Sequence, residues 1–182
     1  MKRTITGAEP VTLNEARDHI QGLEGITVDD ALISSLISVA REQAEMFTWR
    51  SIRTSTYELR LTNIPASVKL PNPPVIAITS VKYNNEAGTE ITMPNTDYRL
   101  KDWEEPATLI FDEQPATSGD EGDVTITYTT GYSSDIPLSI KQAILMMVRT
   151  LYDNREDMNS RNITELPLTS KTLLTPFRCH EF

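Results

Sequence analysis

Side chains suited to acid–base or metal chemistry are few in this chain of 182 residues. It has two histidines, His19 and His180, and one cysteine, Cys179. Asp18 and His19 would point about 100° apart on a helix, and Cys179 with His180 would need ligands from elsewhere to hold a metal. The HExxH, GxSxG and phosphate-cradling glycine motifs are absent from the sequence. We therefore expect no enzyme, no cofactor and no metal site.

Acidic side chains form two groups in segments predicted to be loops, where a calcium site or an acid–base pair could be built. The groups are Glu104 with Glu105, and Asp120 with Glu121 and Asp123. Neither group has the Asp-x-Asp-x-Asp-Gly spacing of a calcium loop, so solvated loops are the more ordinary interpretation. Trp103, beside the first group, either closes the edge of a core or anchors an interface.

Arginines recur along the last predicted helix and into the segment after it: Arg149, Arg155 and Arg161. A phosphate contact is one use for such a stripe. Ion pairing is favoured over it, either with the acidic residues Asp153, Glu156 and Asp157 or with an acidic neighbouring subunit. We assign the three arginines, together with Trp103, to a subunit interface.

Acidic groups outnumber basic ones, 26 Asp and Glu against 17 Lys and Arg, and the formal net charge is −9. This balance argues against a surface that grips nucleic acid, because such affinity comes mainly from clustered Lys and Arg. No apolar run approaches the roughly 18 residues of a membrane helix, and the first ten residues lack the apolar core of a signal peptide. We expect a protein made in the cytoplasm, without membrane contact.

Helices are predicted at both ends of the chain. Thr12 and Glu15 have the spacing of a capping box and predict a helix over 13–23. A second helix is predicted over 29–48, where one apolar stripe is made of Leu32, Ile33, Leu36, Ile37, Ala40, Ala44 and Phe47. A third helix is predicted over 136–156.

Strands are predicted between these helices, because the apolar period changes to two from Ser51 onward. About six strands are expected over 51–132, with a hairpin turn at 84–88. After the last helix the pattern stops, and its apolar residues have no periodicity that would bury them. We expect an extended tail over 158–182 with one short turn at 170–174, which docks on a partner.

The predicted fold class is therefore α+β. A helical bundle combines two N-terminal helices with one long C-terminal helix, and an antiparallel β region is inserted between them. The predicted segments are residues 1–48 for the N-terminal helices, 49–134 for the β region, 135–157 for the long helix and 158–182 for the extended tail.

A set of short motifs occurs along the chain in a specific order. The motifs are PVTLNEA at 10–16, DDALI at 29–33, LPNPPV at 70–75 leading into ITSVKY at 78–83, VTITYTTGY at 124–132, IP at 136–137, IKQAIL at 140–145 and LYDNRE at 151–156. In this order they resemble the head-tail connector, or head-completion adaptor, family of tailed phages and prophages, whose members are often labelled DNA packaging proteins.

The resemblance implies a structural protein of the virion, made in the cytoplasm of a bacterial host. Twelve identical subunits would form a ring under the portal protein, extend the DNA channel and offer a surface to a stopper or tail protein. Double-stranded DNA would pass without sequence-specific binding. The portal contact carried over from the family consists of Leu173, Leu174, Pro176, Phe177 and Arg178. The acidic residues Glu104, Glu105, Asp120, Glu121 and Asp123 would face either the channel or the downstream partner.

Two alternatives stay open at this point. A small binding module could use Trp103 and the acidic loops for calcium or a glycan. A stopper or tail-completion protein of the same neck shares the size and acidity of an adaptor, although stoppers are mostly β. The long helices predicted at 29–48 and 136–156 favour the adaptor.

Overall fold

A computed structural model describes residues 1–20, 27–120, 122–133, 135–154 and 167–179. Within these ranges it has four α-helices and eight β-strands, which confirms the predicted α+β class. None of these helices combines the length and apolar character needed to span a membrane. The chain divides into a β unit, Met1–Gly7 with Arg53–Ser133 and Cys179–Phe182, and a helical unit, Ala8–Ile52 with Ser134–Arg178.

The β unit contains two antiparallel sheets. One has the strand order β1-β2-β8-β4-β5 and the other has the order β3-β7-β6. The strands are β1 Lys2–Ile5, β2 Ser55–Leu61, β3 Ser67–Lys69, β4 Val75–Asn84, β5 Glu90–Thr92, β6 Tyr98–Lys101, β7 Thr108–Phe111 and β8 Val124–Thr130. The predicted hairpin is confirmed, since β4 pairs with β5 and the amide of Asn85 donates to the carbonyl of Thr89 across the turn.

Buried and half-exposed residues alternate along strand β8, as expected for a strand with one face on a core. The alternate residues Val124, Ile126 and Tyr128 are inside a common apolar core, whereas the residues between them are half-exposed. Tyr128 lies opposite Tyr57 of β2, with ring centroids 5.8 Å apart. The core includes residues of both sheets, so it is what holds the two sheets together.

The first strand departs from the sequence prediction, which expects only helices over 1–48. Strand β1 pairs antiparallel with β2, and Arg3 lies opposite Tyr57. The Arg3 guanidinium donates to the hydroxyl of Ser55 at 3.1 Å and lies 5.6 Å from the centroid of the Tyr57 ring. These partners are more than fifty residues away, so no local pattern signals the strand.

The helical unit is formed by α1 Leu13–His19, α2 Asp30–Thr48, α3 Leu138–Asp153 and α4 Leu168–Leu174, with a 3-10 turn at Thr175–Phe177. The predicted capping box is confirmed. The Thr12 amide donates to Glu15 Oε2 at 2.7 Å, and the Glu15 amide donates to Thr12 Oγ1 at 3.2 Å. Helix α2 packs its buried residues Ile33, Ile37, Ala40 and Ala44 inside the unit.

The expectation of an extended tail is wrong over Leu168–Phe177. Helix α4 packs against α3, Leu174 is fully buried, and the Ser170 hydroxyl donates to the carbonyl of Ala143 at 3.4 Å. The helix has seven residues, too short to show a helical period in the sequence, and tertiary packing rather than propensity stabilises it. Residues 158–166 and 180–182 of the predicted tail lie outside the described residues.

Candidate interaction surfaces

The β6–β7 connection presents Trp103 with Glu104 and Glu105 at the surface. Trp103 is 72% exposed, and both glutamates are exposed. Of the two interpretations of Trp103, the core edge is therefore wrong. An exposed indole beside carboxylates is suited to contact another protein.

In the second acidic loop, the carboxylate of Asp123 accepts hydrogen bonds from within the β unit. Asp123 is buried and accepts hydrogen bonds from the Ser118 hydroxyl, from the Asp120 amide at 2.8 Å and from Asn84 Nδ2 at 3.1 Å. These donors, the Ser118 hydroxyl first, lower the pKa of Asp123 below its usual value. Asp123 therefore organises the loop, Asp120 is exposed, and Glu121 lies outside the described residues.

No calcium or other metal site is assembled by these acidic groups as far as the chain is described. Within those residues no group of three or more His, Cys, Asp or Glu is placed to hold a metal ion. Cys179 is a buried free thiol. His180 lies beyond the described part.

The five residues assigned to the portal contact are divided by the structure. Leu174 is buried, and Leu173 and Phe177 are half-buried. Pro176 and Arg178 are exposed. Because α4 holds the group in place, the surface it offers is preformed, and Leu174 serves the interior of the unit instead of a partner.

A groove of about 470 Å³ lies beside that segment, between α1, α3 and α4. Its apolar lining is Leu138, Leu145 and Leu173, and its polar lining includes Glu15 and Lys141. Lys141 Nζ is 3.3 Å from Glu15 Oε1. The Thr12 amide, more than Lys141, lowers the pKa of Glu15. The two charged groups of the groove thus neutralise each other.

An exposed apolar stripe on α2 was not expected from the sequence. Leu32, Val39 and Met46 are 38%, 41% and 77% exposed, and Trp49 follows the helix at 55%. From the sequence, Leu32 is expected on the same apolar stripe as its neighbour Ile33, which is buried. The signal that could have found this surface is the seven-residue spacing of its three helical members.

The arginine stripe is only partly described. Arg149 Nε lies 3.5 Å from Asp153 Oδ2 at i,i+4 spacing, as the ion-pair interpretation expects. Both side chains are around half-exposed, so the pair contributes little to stability and leaves the arginine available to a partner. Arg155 and Arg161 lie outside the described residues.

Solved structures of one kind of particle contain chains with the same fold. A chain in the neck of an empty gene transfer agent particle, computed with C6 symmetry, matches with a TM-score of 0.75 at 21% identity. A chain in the virion of the native gene transfer agent matches with 0.76 at 22%, and one in the native neck computed with C12 symmetry matches with 0.71 at 20%. Each match covers 100% of this chain and 97% of the other.

At these identities the likeness shows a shared fold. No protein-family model matches the chain, and no curated protein matches its sequence.

Proposed function

We propose that this chain is a structural, non-enzymatic subunit of the neck of a phage-like particle, where it acts as the head-tail adaptor under the portal. The observation that carries the proposal is the structural match with chains of gene transfer agent particles, two of them from the neck, over the full length of this chain. The order of sequence motifs supports the same assignment independently, through its resemblance to head-tail connectors.

The proposed assembly is a closed ring of twelve identical subunits. Its support is that the necks containing the similar chains were computed with C6 and C12 symmetry. Most homo-oligomers close by point-group symmetry, and a twelvefold ring is compatible with both. The ring would be a part of the virion, seated at the capsid vertex between the portal and a stopper or tail protein.

The acidity of the chain suits a channel for double-stranded DNA. A net charge of −9 repels phosphates, so a duplex can slide without being held. Glu104, Glu105 and Asp120 are exposed and are the described residues we assign to the channel or to the downstream docking face. Glu121 belongs to the same proposal, whereas Asp123 is committed to its loop.

The portal contact is assigned to the surface formed by Leu173, Pro176, Phe177 and Arg178. Leu174 is left out because it is buried. Contacts between subunits are assigned to Arg149, Arg155 and Arg161 of the arginine stripe and to the exposed Trp103.

The test is the mass of the purified protein by light scattering, alone and with its cognate portal protein. Truncation of 166–182 would be a poor variant, because it removes Leu174 from the helical unit. Pro176→Glu changes an exposed residue of the proposed portal contact, and Thr169→Glu makes the same charge change at an exposed position of α4. We expect the wild type and Thr169→Glu to join the portal and Pro176→Glu to lose at least about tenfold in affinity.

A wild-type chain that neither self-associates nor binds the portal would overturn the adaptor assignment. Binding to a tail-side protein with indifference to the portal would replace it with a stopper assignment. Equal portal binding by Pro176→Glu and the control would retain the adaptor and move the portal contact elsewhere.

A further inference from the structure

Helix α2 has two apolar sides that serve different purposes. Its buried side packs within the helical unit, against α3 among others. Leu32, Val39 and Met46 share another side of α2, because residues seven apart return to nearly the same direction. At about 100° per residue, this side is centred roughly 120° to 160° around the helix from Ile33 and Ile37, and Leu32 is at its edge nearest to Ile33. We call Leu32, Val39, Met46 and the following Trp49 the α2 stripe.

The groove lies on the outward side of α3. Leu138 and Leu145, which line it, are about 100° or more around the helix from the buried residues Ile140 and Ile144. The described residues that line the groove come from α1, α3 and α4 and none from α2, so the α2 stripe and the groove are two separate surfaces of the helical unit.

A closed ring of identical subunits needs this arrangement. Each copy in a cyclic assembly uses two different surfaces, one for each neighbour. An apolar helix face with anchors at heptad spacing is the usual occupant of an apolar groove between helices. We infer that, in the ring proposed above and resting on that proposal, the α2 stripe of one copy seats in the α1–α3–α4 groove of the next copy.

Charge is compatible with this pairing, which adds to the contacts between subunits assigned to the arginine stripe and Trp103. Two chains that each carry −9 repel, so they meet best where their surfaces are neutral. The α2 stripe is made of uncharged side chains. The groove has one carboxylate and one ammonium, Glu15 and Lys141, and these are paired with each other.

Variants with one defect each can test the pairing. Met46→Lys places a charge in the α2 stripe, and Leu138→Lys places one in the groove, at a leucine that is 82% exposed. Ser34→Lys makes the same change at an exposed position of α2 away from the stripe. Since the altered positions are exposed, folding should be preserved, which circular dichroism checks.

The expected result concerns both the single variants and their mixture. Met46→Lys and Leu138→Lys should each lose at least about tenfold in self-association, measured by sedimentation velocity alone or on the portal, while Ser34→Lys assembles like the wild type. An equimolar mixture of the two defective variants should form heterodimers, because the intact stripe of Leu138→Lys can seat in the intact groove of Met46→Lys. The heterodimers should not grow further, because their remaining stripe and groove are both altered. Wild-type assembly by Met46→Lys would overturn the inference, and so would homodimers of Leu138→Lys, which would indicate stripe-to-stripe contact.

A disulfide cross-link separates failure of this inference from failure of the proposed function. With Met46→Cys and Leu138→Cys in one chain, oxidation should give a ladder of covalent oligomers, whereas either substitution alone should give dimers at most, because the native Cys179 is buried. Absence of the ladder when the wild type forms rings would overturn the pairing and leave the adaptor role standing. Absence of both the rings and the ladder would overturn the pairing and the adaptor role together.

Discussion

The guanidinium of Arg178 lies over the ring of Phe47, 5.3 Å from its centroid. Arg50 Nε, just beyond α2, donates to the carbonyl of Phe177 in the same region. The residues that we assign to portal binding are therefore held by the end of α2 as well as by α4. Because this surface is already ordered, binding a partner costs the chain less conformational entropy than ordering an extended tail would.

Leu174→Ala should destabilise the protein by about 2–5 kcal/mol, because it leaves a cavity under α4 at a fully buried position. Leu168→Ala, at the exposed start of the same helix, is the matched control and should stay within about 0.5 kcal/mol of the wild type. Urea denaturation measures both free energies of unfolding. Equal effects would mean that α4 does not pack on α3 in solution.

Arg41→Ala should lower the free energy of unfolding by about 3–5 kcal/mol, since it leaves a buried carboxylate without its cation. Arg41 is buried and lies 2.7 Å from Glu45 Oε2 and 2.9 Å from Glu9 Oε2. Glu42 pairs with the same arginine at 3.1 Å but is mostly exposed, so Glu42→Ala should cost about 1 kcal/mol or less. Thermal unfolding of both variants checks the difference, and a small loss for Arg41→Ala would contradict the buried network.

Local signals predicted the elements that depend on neighbours in the sequence. The capping box of Thr12 and Glu15 and the turn at 84–88 are each complete within about five residues, so their chemistry can be identified without the fold. The pairing of Arg41 with Glu9 joins residues 32 positions apart. Because no local pattern shows this pairing, the sequence does not indicate that Arg41, which is outside the apolar stripe, is buried in the structure.

The candidate surfaces were harder to predict than the fold class. Periodicity puts Leu32 and Ile33 on one stripe because an amphipathic face is broad, and only packing shows that Ile33 is buried and Leu32 is exposed. The acidic loop at 120–123 is visible in the sequence, but nothing there shows that Ser118 and Asn84 enclose Asp123. Whether a polar side chain is used internally depends on which donors the fold brings to it.

Gly131→Ala should be strongly destabilising, because this glycine combines a φ of +106° with a close approach of backbone. A Cβ at this position would lie 2.7 Å from the carbonyl oxygen of Arg53. Gly88 is the control, with a φ of +75° and open space around it. We expect Gly88→Ala to cost about 1–2 kcal/mol from its backbone conformation alone and Gly131→Ala clearly more, as measured by urea denaturation. Similar losses would indicate that Arg53 moves aside freely.

Asp123 should make the stability of the protein depend on pH in acid. Its pKa in the folded state is lowered, chiefly by the Ser118 hydroxyl, so the ionised carboxylate stabilises the fold above the usual Asp pKa of about 3.9. That contribution is lost as the pH falls from about 4 through the lower pKa of the folded state. Asp123→Asn, which cannot accept all the donors, should be less stable than the wild type at neutral pH.

The difference between wild type and Asp123→Asn should therefore shrink below pH 4, when the wild-type carboxyl also becomes neutral. Free energies of unfolding from urea titrations between pH 2.5 and pH 7, in steps of about half a unit, would show this convergence. Asp120→Asn removes the same charge from an exposed neighbour but keeps the amide that donates to Asp123, so its difference from the wild type should stay small throughout. A gap between wild type and Asp123→Asn that persists unchanged to the lowest pH would mean that shape, and not ionisation, is what Asp123 contributes to its loop.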